Sequence, residues 1–332
     1  MKNRNFSHGK FVSAVLFADY GKGMGRKMEY LVEARNLTKR YGTFPALKEV
    51  NIKIKRGEIY GLVGDNGAGK TTFLKAVCGQ IFPSEGEITL FGAHRQSEQE
   101  NHRKRTGAIV EQPGFYPQLT IEQNMEYYRI QKGIPGKDVV GKVLKTVGLF
   151  EVRKKKGKIL SLGMKQRLGL AIALMGEPEL LILDEPINGL DPTGIIEMRN
   201  LLKKLNQEKN MTIIISSHIL TELEQLATVY GFLEKGRLLE QISAERLHEK
   251  CGNYLEVAVS DTEKYTALLE KHMQHGQYLV LPDKTIHILQ PGQEIEKYSR
   301  LASDNGIGIR TMMLKQKTLE DYYMNLKEEG KR

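Results

Sequence analysis

The chain has 332 residues, 40% of them hydrophobic and 27% charged, which suits a water-soluble chain with one large domain and one small one. Two cysteines, Cys78 and Cys251, are too few for a disulfide framework and fit a reducing compartment. The formal net charge of +10 suits an anionic partner such as nucleic acid, acidic lipid or nucleotide phosphate, and equally an ordinary basic surface. No apolar run approaches the roughly 20 residues that span a bilayer; the nearest, Phe11 to Ala18, is far too short.

Residues 1–27, rich in Gly and Lys, read as a disordered leader, and regular patterning begins at Met28. Strands are expected at 30–37 and at 47–55, where Val50, Ile52 and Ile54 alternate with polar residues. A short apolar strand, Ile59 to Val63, runs into Gly64-Asp65-Asn66-Gly67-Ala68-Gly69-Lys70-Thr71-Thr72 and then a helix through Phe73, Leu74 and Val77. Cys78 lies in that helical pattern and is expected to pack as a small hydrophobe. Strand signals return at 87–91 and 107–110. Residues 120–175 carry helical patterns, broken at Gly133-Ile134-Pro135-Gly136 and at the basic run 153–158. That run reads as a solvated loop, or as a contact for anionic headgroups. Strands at 180–183 and 211–215 alternate with helices at 195–206 and 219–229, the pattern of a largely parallel sheet. Beyond 240 the order is helix 243–250, strand 253–258, helix 261–274, strands 277–281 and 284–289, helix 293–304, strand 307–315 and helix 318–327. The middle of that series is βαββαβ, a ferredoxin-like arrangement.

Gly64-x4-Gly69-Lys70-Thr71 stands between a strand and a helix, the context in which a P-loop holds phosphate. Its glycines let backbone N–H groups curl around an anion, and the helix adds its positive end. Lys70 is placed to reach the β- and γ-phosphates and Thr71 to ligate Mg²⁺. A glycine-rich turn with an exposed lysine is the plain alternative. The second half of the pattern weighs against it: Leu181-Ile182-Leu183 ends in Asp184-Glu185. Beside a P-loop, Asp184 suits Mg²⁺, and Glu185 suits the general base that polarises the attacking water. His218, after Ile213-Ile214-Ile215-Ser216-Ser217, ends a third apolar strand and is a candidate γ-phosphate ligand, although a lone histidine there also serves as a surface or capping residue.

Taken together, these residues resemble the nucleotide-binding domains of ABC transporters over about residues 30–240, with six motifs in the family's order. The resemblance implies an α/β P-loop fold of ABC type for 28–240, a mixed-sheet core with a helical subdomain at about 113–175, followed by a small α+β domain at 241–332. It implies that Tyr41, in Thr38-Lys39-Arg40-Tyr41-Gly42, stacks on adenine, and that Gln112, in Glu111-Gln112-Pro113, touches Mg²⁺ and water and senses the membrane partner. The whole cradle, Gly64, Asp65, Asn66, Gly67, Ala68, Gly69, Lys70, Thr71 and Thr72, is then assigned to ATP. Asn188-Gly189-Leu190-Asp191 matches the loop that crosses the dimer interface. The family's Leu-Ser-Gly-Gly-Gln signature reads Leu160-Ser161-Leu162-Gly163-Met164 here; Ser161 and Gly163, which face the partner's γ-phosphate, are kept, while Leu162 and Met164 depart from it. Ser161 also suits the N-cap of the following helix.

Ser161-Leu162-Gly163-Met164-Lys165-Gln166-Arg167-Leu168 and the closing Thr318-Leu319-Glu320-Asp321-Tyr322-Tyr323 resemble the ATPases of bacitracin-export and lantibiotic-immunity transporters. The resemblance implies ATP and Mg²⁺ as ligands and a head-to-tail pair of nucleotide-binding domains. It also implies a separate integral membrane permease, with no direct nucleic-acid partner. The chain is then expected in the cytoplasm, peripheral on the inner face of the membrane, and ATP chemistry argues against reading Lys2, Arg4 and Lys10 ahead of the apolar run as a signal peptide. Residues 115–132, with Phe115, Tyr116, Tyr127 and Tyr128, are the candidate docking surface, or else helical-subdomain core. ABC-type ATPases also act on DNA and on ribosomes. This chain has no long heptad insertion between Gln112 and Ser161 and only one set of motifs, where those classes carry the insertion or two sets.

Overall fold

The computed structural model describes residues 30–273, 277–289, 291–292 and 294–329; the expected leader and start at Met28 lie outside these residues. The first strands, β1 (Tyr30–Tyr41) and β2 (Phe44–Lys55), pair antiparallel, and β4 (Glu85–Leu90) adds to the other edge of β1. In β2 the expected alternation holds: Val50, Ile52 and Ile54 are fully buried and the residues between them face out. The main core is a six-stranded sheet in the order β5-β6-β7-β3-β8-β9. Its strands are β3 (Ile59–Val63), β5 (Thr106–Ile109), β6 (Leu180–Asp184), β7 (Thr212–Ser217), β8 (Val229–Glu234) and β9 (Arg237–Ser243). Only β9 runs antiparallel. Strands β3 and β6 are buried along their whole length, as strands covered on both faces must be.

Helix α1 (Lys70–Cys78) follows β3, α2 (Gln96–Arg103) precedes β5, and α6 (Pro192–Lys209) and α7 (Leu220–Glu224) flank β7. Between β5 and β6 stand α3 (Ile121–Gln131), α4 (Asp138–Thr146) and α5 (Leu162–Leu174), the helical subdomain. The two faces of the six-stranded sheet have separate cores. Leu62, Ile182 and Ile214 pack with Phe73 and the antiparallel sheet, whereas Val63, Leu181, Leu183 and Ile215 pack toward the helices. Strand neighbours thus alternate between two apolar environments, and every side chain of β3, β6 and β7 is covered.

Helix α8 (Ala244–Cys251) leads to β10 (Asn253–Val259), α9 (Thr262–Met273), β11 (Tyr278–Val280), β12 (Ile286–Leu289), α10 (Ile295–Asp304) and β13 (Ile309–Gln316). The four strands form an antiparallel sheet in the order β11-β12-β10-β13, the βαββαβ arrangement expected, around a third core of Leu255, Val257, Tyr265, Leu269, Ile286, Ile288 and Tyr298. The last helix is α11 (Leu319–Glu329).

Three expectations need correction. The single helix over 219–229 is only α7, and the chain re-enters the sheet as β8 at Val229. The apolar run Val229-Tyr230-Gly231-Phe232-Leu233 had been folded into the helix or left unassigned; the signal missed is Lys235-Gly236, both at positive φ (46° and 81°), a two-residue hairpin turn between β8 and β9. A boundary at 240/241 falls inside β9, and the sheet ends at Ser243. Leu247 and Cys251 of α8, and Leu319 and Tyr323 of α11, belong to the core under the six-stranded sheet rather than to that of the βαββαβ unit. Helix α2 was not foreseen, because its sequence QSEQENHR carries no apolar stripe.

Burial pushes the Cys78 thiol up to about 12 and raises that of Cys251 as well, and neither is bonded to the other. Both should therefore react with an aromatic disulfide reagent at neutral pH far more slowly in the folded protein than in denaturant; rapid native labelling of either would place it in a different environment.

Candidate functional site

The carboxyl ends of β3, β7 and β6 lie side by side, because Val63 pairs with Ser217 and Ser216 with Asp184. Everything that leaves these ends enters one rim. From β3 comes the phosphate loop. Gly69 has φ of 110°, and a Cβ there would lie 2.7 Å from the carbonyl oxygen of Ala46, so both backbone shape and space demand glycine. Gly67 is likewise at positive φ. The loop hands over to α1, whose first N–H groups face the same rim.

Lys70, the first residue of α1, is only 5% exposed. Its Nζ donates to the carbonyls of Gly64 (2.6 Å) and Asp65 (3.2 Å) and stands 3.2 Å from Glu185 Oε1. The adjacent Thr71 hydroxyl donates to Asp184 Oδ2 at 2.8 Å. Asp184 ends β6 almost wholly buried, with Oδ1 accepting from Ser216 Oγ at 2.6 Å and Oδ2 from the backbone N–H of Glu111 at 3.4 Å. The Ser216 hydroxyl oxygen in turn accepts from the Glu185 N–H at 3.0 Å. That contact helps hold Glu185 at φ 48°, a left-handed backbone that turns its carboxylate back over the rim. His218 Nδ1 lies 2.5 Å from Glu185 Oε2.

The five residues that the sequence reading put in one site thus meet in two sets, Lys70–Glu185–His218 and Thr71–Asp184, which Ser216 bridges. Asp65, Asn66, Gly67, Gly69, Thr71 and Thr72 line the same cleft, with Tyr41 at its mouth. Gly64 and Ala68 are buried behind them in the loop. Phe44, three residues after Tyr41 and paired with it across the Gly42-Thr43 turn, stands exposed beside it; as a second aromatic at the cleft mouth it was missed, although its closeness to Tyr41 in sequence was a usable signal. Gln112 is exposed on the wall of an adjoining cleft that also contains Glu185 and Asn188.

Ser161, Gly163 and Asp191 are elsewhere. They line a separate cleft with Leu162, Arg167 and Gly189, away from the phosphate loop. Ser161 caps α5 as expected, its Oγ accepting from the Met164 N–H at 3.3 Å. The expected site residues are thus divided between two separate clefts.

Ser216 is the residue that sequence reasoning passed over. It was noted only as a neighbour of His218, yet it is fully buried and bridges the two acids. Ser216→Ala leaves Asp184 Oδ1, a buried carboxylate oxygen, without its serine donor, while the Glu185 N–H keeps the Ser216 carbonyl at 3.2 Å. It should cost about 1–3 kcal/mol of stability in denaturant unfolding and slow nucleotide turnover; a variant as stable and active as the parent would contradict the relay.

Comparison with known proteins agrees with this geometry. The profile of the family described as ABC transporter matches residues 47–188. The bacitracin transport ATP-binding proteins BcrA of Enterococcus faecalis and of Bacillus licheniformis are 42% and 43% identical, each match covering 90% of this chain and 97% and 98% of theirs. The lantibiotic transport ATP-binding protein SrtF of Streptococcus pyogenes is 41% identical over 68% of this chain and 97% of its own. Among solved structures, an ATP-binding cassette captured as a post-hydrolysis dimer with ADP and Pi superposes with a TM-score of 0.58 at 28% identity, covering 64% of this chain and 98% of that one. The cbiO1 subunit of Clostridium perfringens, part of the ABC transporter complex cbiONQ, gives 0.61 at 26% identity, covering 74% and 97%. The chain belongs to the ABC transporter ATP-binding proteins and is an ATPase.

Proposed function

We propose that this chain is the ATP-hydrolysing subunit of an exporter whose permease is a separate membrane protein, and that the cargo is a peptide antibiotic or a similar amphipathic compound. The observation that carries the ATPase part is the gathering of Lys70, Thr71, Asp184, Glu185 and His218 at one strand rim. The cargo class rests on the names of the bacitracin and lantibiotic relatives. Among the described residues no helix is long and apolar enough to cross a membrane, so a membrane passage needs another protein or residues outside these. We place the subunit at the cytoplasmic face, where ATP is available.

In this reading the backbone N–H groups of residues 65–72 and the Lys70 ammonium take the β- and γ-phosphates, and Tyr41 with Phe44 offers ring faces to the base. The Thr71 hydroxyl and the Asp184 carboxylate, 2.8 Å apart, are hard oxygen donors that fit Mg²⁺, with Gln112 as a third donor on the adjoining wall. When bound, Mg²⁺ supplies charge neutralisation across the β- and γ-phosphates. Glu185 draws a proton from the attacking water as its oxygen bonds to the γ-phosphorus; the bond to the bridging oxygen breaks, and ADP and phosphate leave. His218, in contact with Glu185, orients that carboxylate and is placed to donate toward the γ-phosphate.

Because Ser161, Gly163 and Asp191 line a different cleft, the reading requires a second copy, placed head to tail, whose signature covers the first copy's nucleotide. ATP then acts as interfacial glue, and losing its γ-phosphate weakens the closed state through differential affinity.

The permease contact is assigned to residues 115–132. Tyr116 and Tyr127 are exposed there, edge-on at 4.7 Å with their hydroxyls 3.0 Å apart, while the Tyr128 ring packs against the helical core. The exposure of Tyr116 and Tyr127 supports the docking reading, and the packing of Tyr128 supports the core reading. Asn124, fully buried, holds the segment: its Oδ1 accepts from the Tyr116 N–H at 2.7 Å and its Nδ2 donates to the carbonyls of Tyr116 and Thr120. The alternative, an ABC-type ATPase acting on nucleic acid or ribosomes, has only the basic net charge in its favour.

Glu185→Gln should retain MgATP binding while turnover falls about 10²–10⁴-fold, and should accumulate a nucleotide-bound dimer by light scattering; normal turnover removes Glu185 as the base. Ser161→Arg should bind nucleotide as a monomer and fail to dimerise in the Glu185→Gln background, and a dimer formed normally there contradicts the head-to-tail arrangement.

A further inference from the structure

The closing segment Thr318-Leu319-Glu320-Asp321-Tyr322-Tyr323 takes no part in the chemistry above, yet it folds back onto the nucleotide core. Thr318 and Asp321 fix the start of α11: Asp321 Oδ2 accepts from the Thr318 N–H (2.9 Å) and hydroxyl (2.8 Å), and Thr318 Oγ1 accepts from the Asp321 N–H (3.1 Å). Leu319 and Tyr323 are buried in the core under the six-stranded sheet. The Tyr323 ring lies stacked on Phe232 at 5.7 Å and 18°. Phe232 is the β8 residue paired with Val63, the last strand residue before the phosphate loop. Tyr322 ties the same turn to the edge of the sheet through Glu240 and Lys250. One helical turn beyond Tyr323, Lys327 extends over its ring at 5.0 Å and donates to Asp65 Oδ2 at 2.6 Å.

Asp65 belongs to the loop assigned to the triphosphate, and its carboxylate is a like charge beside a polyanion. Lys327 is the ammonium that meets it; its side chain is 18% exposed, whereas that of Asp65 remains 62% exposed toward solvent. The Tyr323 hydroxyl lies buried beside the Asp65 backbone, and burial, followed by the nearby Asp65 charge, pushes its pKa up. The charge that bears on the loop is thus delivered from the far end of the chain, 262 residues away, on a helix anchored in the core.

We infer that α11 is a positioning element of the phosphate loop: Lys327 neutralises and holds Asp65, so the accessory region sets part of the affinity for nucleotide. The inference rests on the assignment of residues 64–72 to phosphate binding. Removing the ammonium leaves the loop carboxylate facing the incoming triphosphate, an effect that weakens with salt because Asp65 is exposed. Removing both charges cancels the effect, which loss of helix packing would not do.

The test is titration of the full chain with a fluorescent MgATP analogue at about 0.05 M and about 1 M salt, together with steady-state ATP hydrolysis. Lys327→Gln should weaken binding about three- to tenfold at low salt, raise the KM for ATP by a similar factor with kcat retained, and lose most of this difference at high salt. Lys327→Arg should bind like the parent. In the Asp65→Asn background, Lys327→Gln should produce no further loss. Unchanged binding by Lys327→Gln, or a loss of equal size in the Asp65→Asn background, overturns the inference. Lys70→Ala is the control for the underlying assignment: parent-like binding by that variant removes the phosphate site itself, whatever Lys327 does.

Discussion

Ser216 Oγ donates to Asp184 and accepts from the backbone of Glu185, and Thr71 donates to the other oxygen of Asp184. This relay ties the end of β7 to the end of β6 and to the helix that follows β3, and it operates where water is largely excluded. A buried carboxylate is tolerated only when its lone pairs are satisfied. Here the partners are the phosphate loop's own threonine and the neighbouring strand's serine. Positions of the loop, Glu185 and His218 all follow from it, because each leaves a strand whose end the relay fixes.

The parallel register explains why such distant residues meet. Lys70, Glu185 and His218 come from three strand ends that are adjacent only because β7 pairs with β3 on one side and β6 on the other. The strands between are apolar on both faces and pack into two separate cores, so a slip in register would bury the wrong residues throughout. The site is therefore as rigid as the sheet. The cleft of Ser161, Gly163 and Asp191, built on α5 and the loop before α6, stands on another part of the molecule, and for that reason the proposed function takes a second copy to bring Ser161 to a nucleotide.

Much of the rim could be read from the sequence, since a glycine-rich loop after one apolar strand and paired acids after another are constrained by phosphate and metal chemistry. The βαββαβ order after residue 252 was legible from alternating periodicities. What was not legible shares a cause: it depends on contacts made across the fold. Ser216 is an ordinary strand residue until Asp184 lies opposite it. β8 and β9 were hidden because Tyr230 to Leu233 is a short buried run with no helical or alternating period, and length alone separates the two readings. The role of Lys327 is invisible in α11 itself, where it is one charged residue among several, and appears only against Asp65.

The central claim is that one triphosphate lies at this rim, between the loop amides and Lys70 on one side and the Asp184–Glu185 pair on the other. A crystal structure of the Glu185→Gln variant with MgATP tests it most directly. The account predicts the γ-phosphate within hydrogen-bond distance of Lys70 Nζ and His218, a metal ion against Thr71 and Asp184, and Ser161 of a second copy closing over it. Nucleotide bound elsewhere, or a rim in which Lys70 keeps its hold on the loop carbonyls with ATP present, would contradict it.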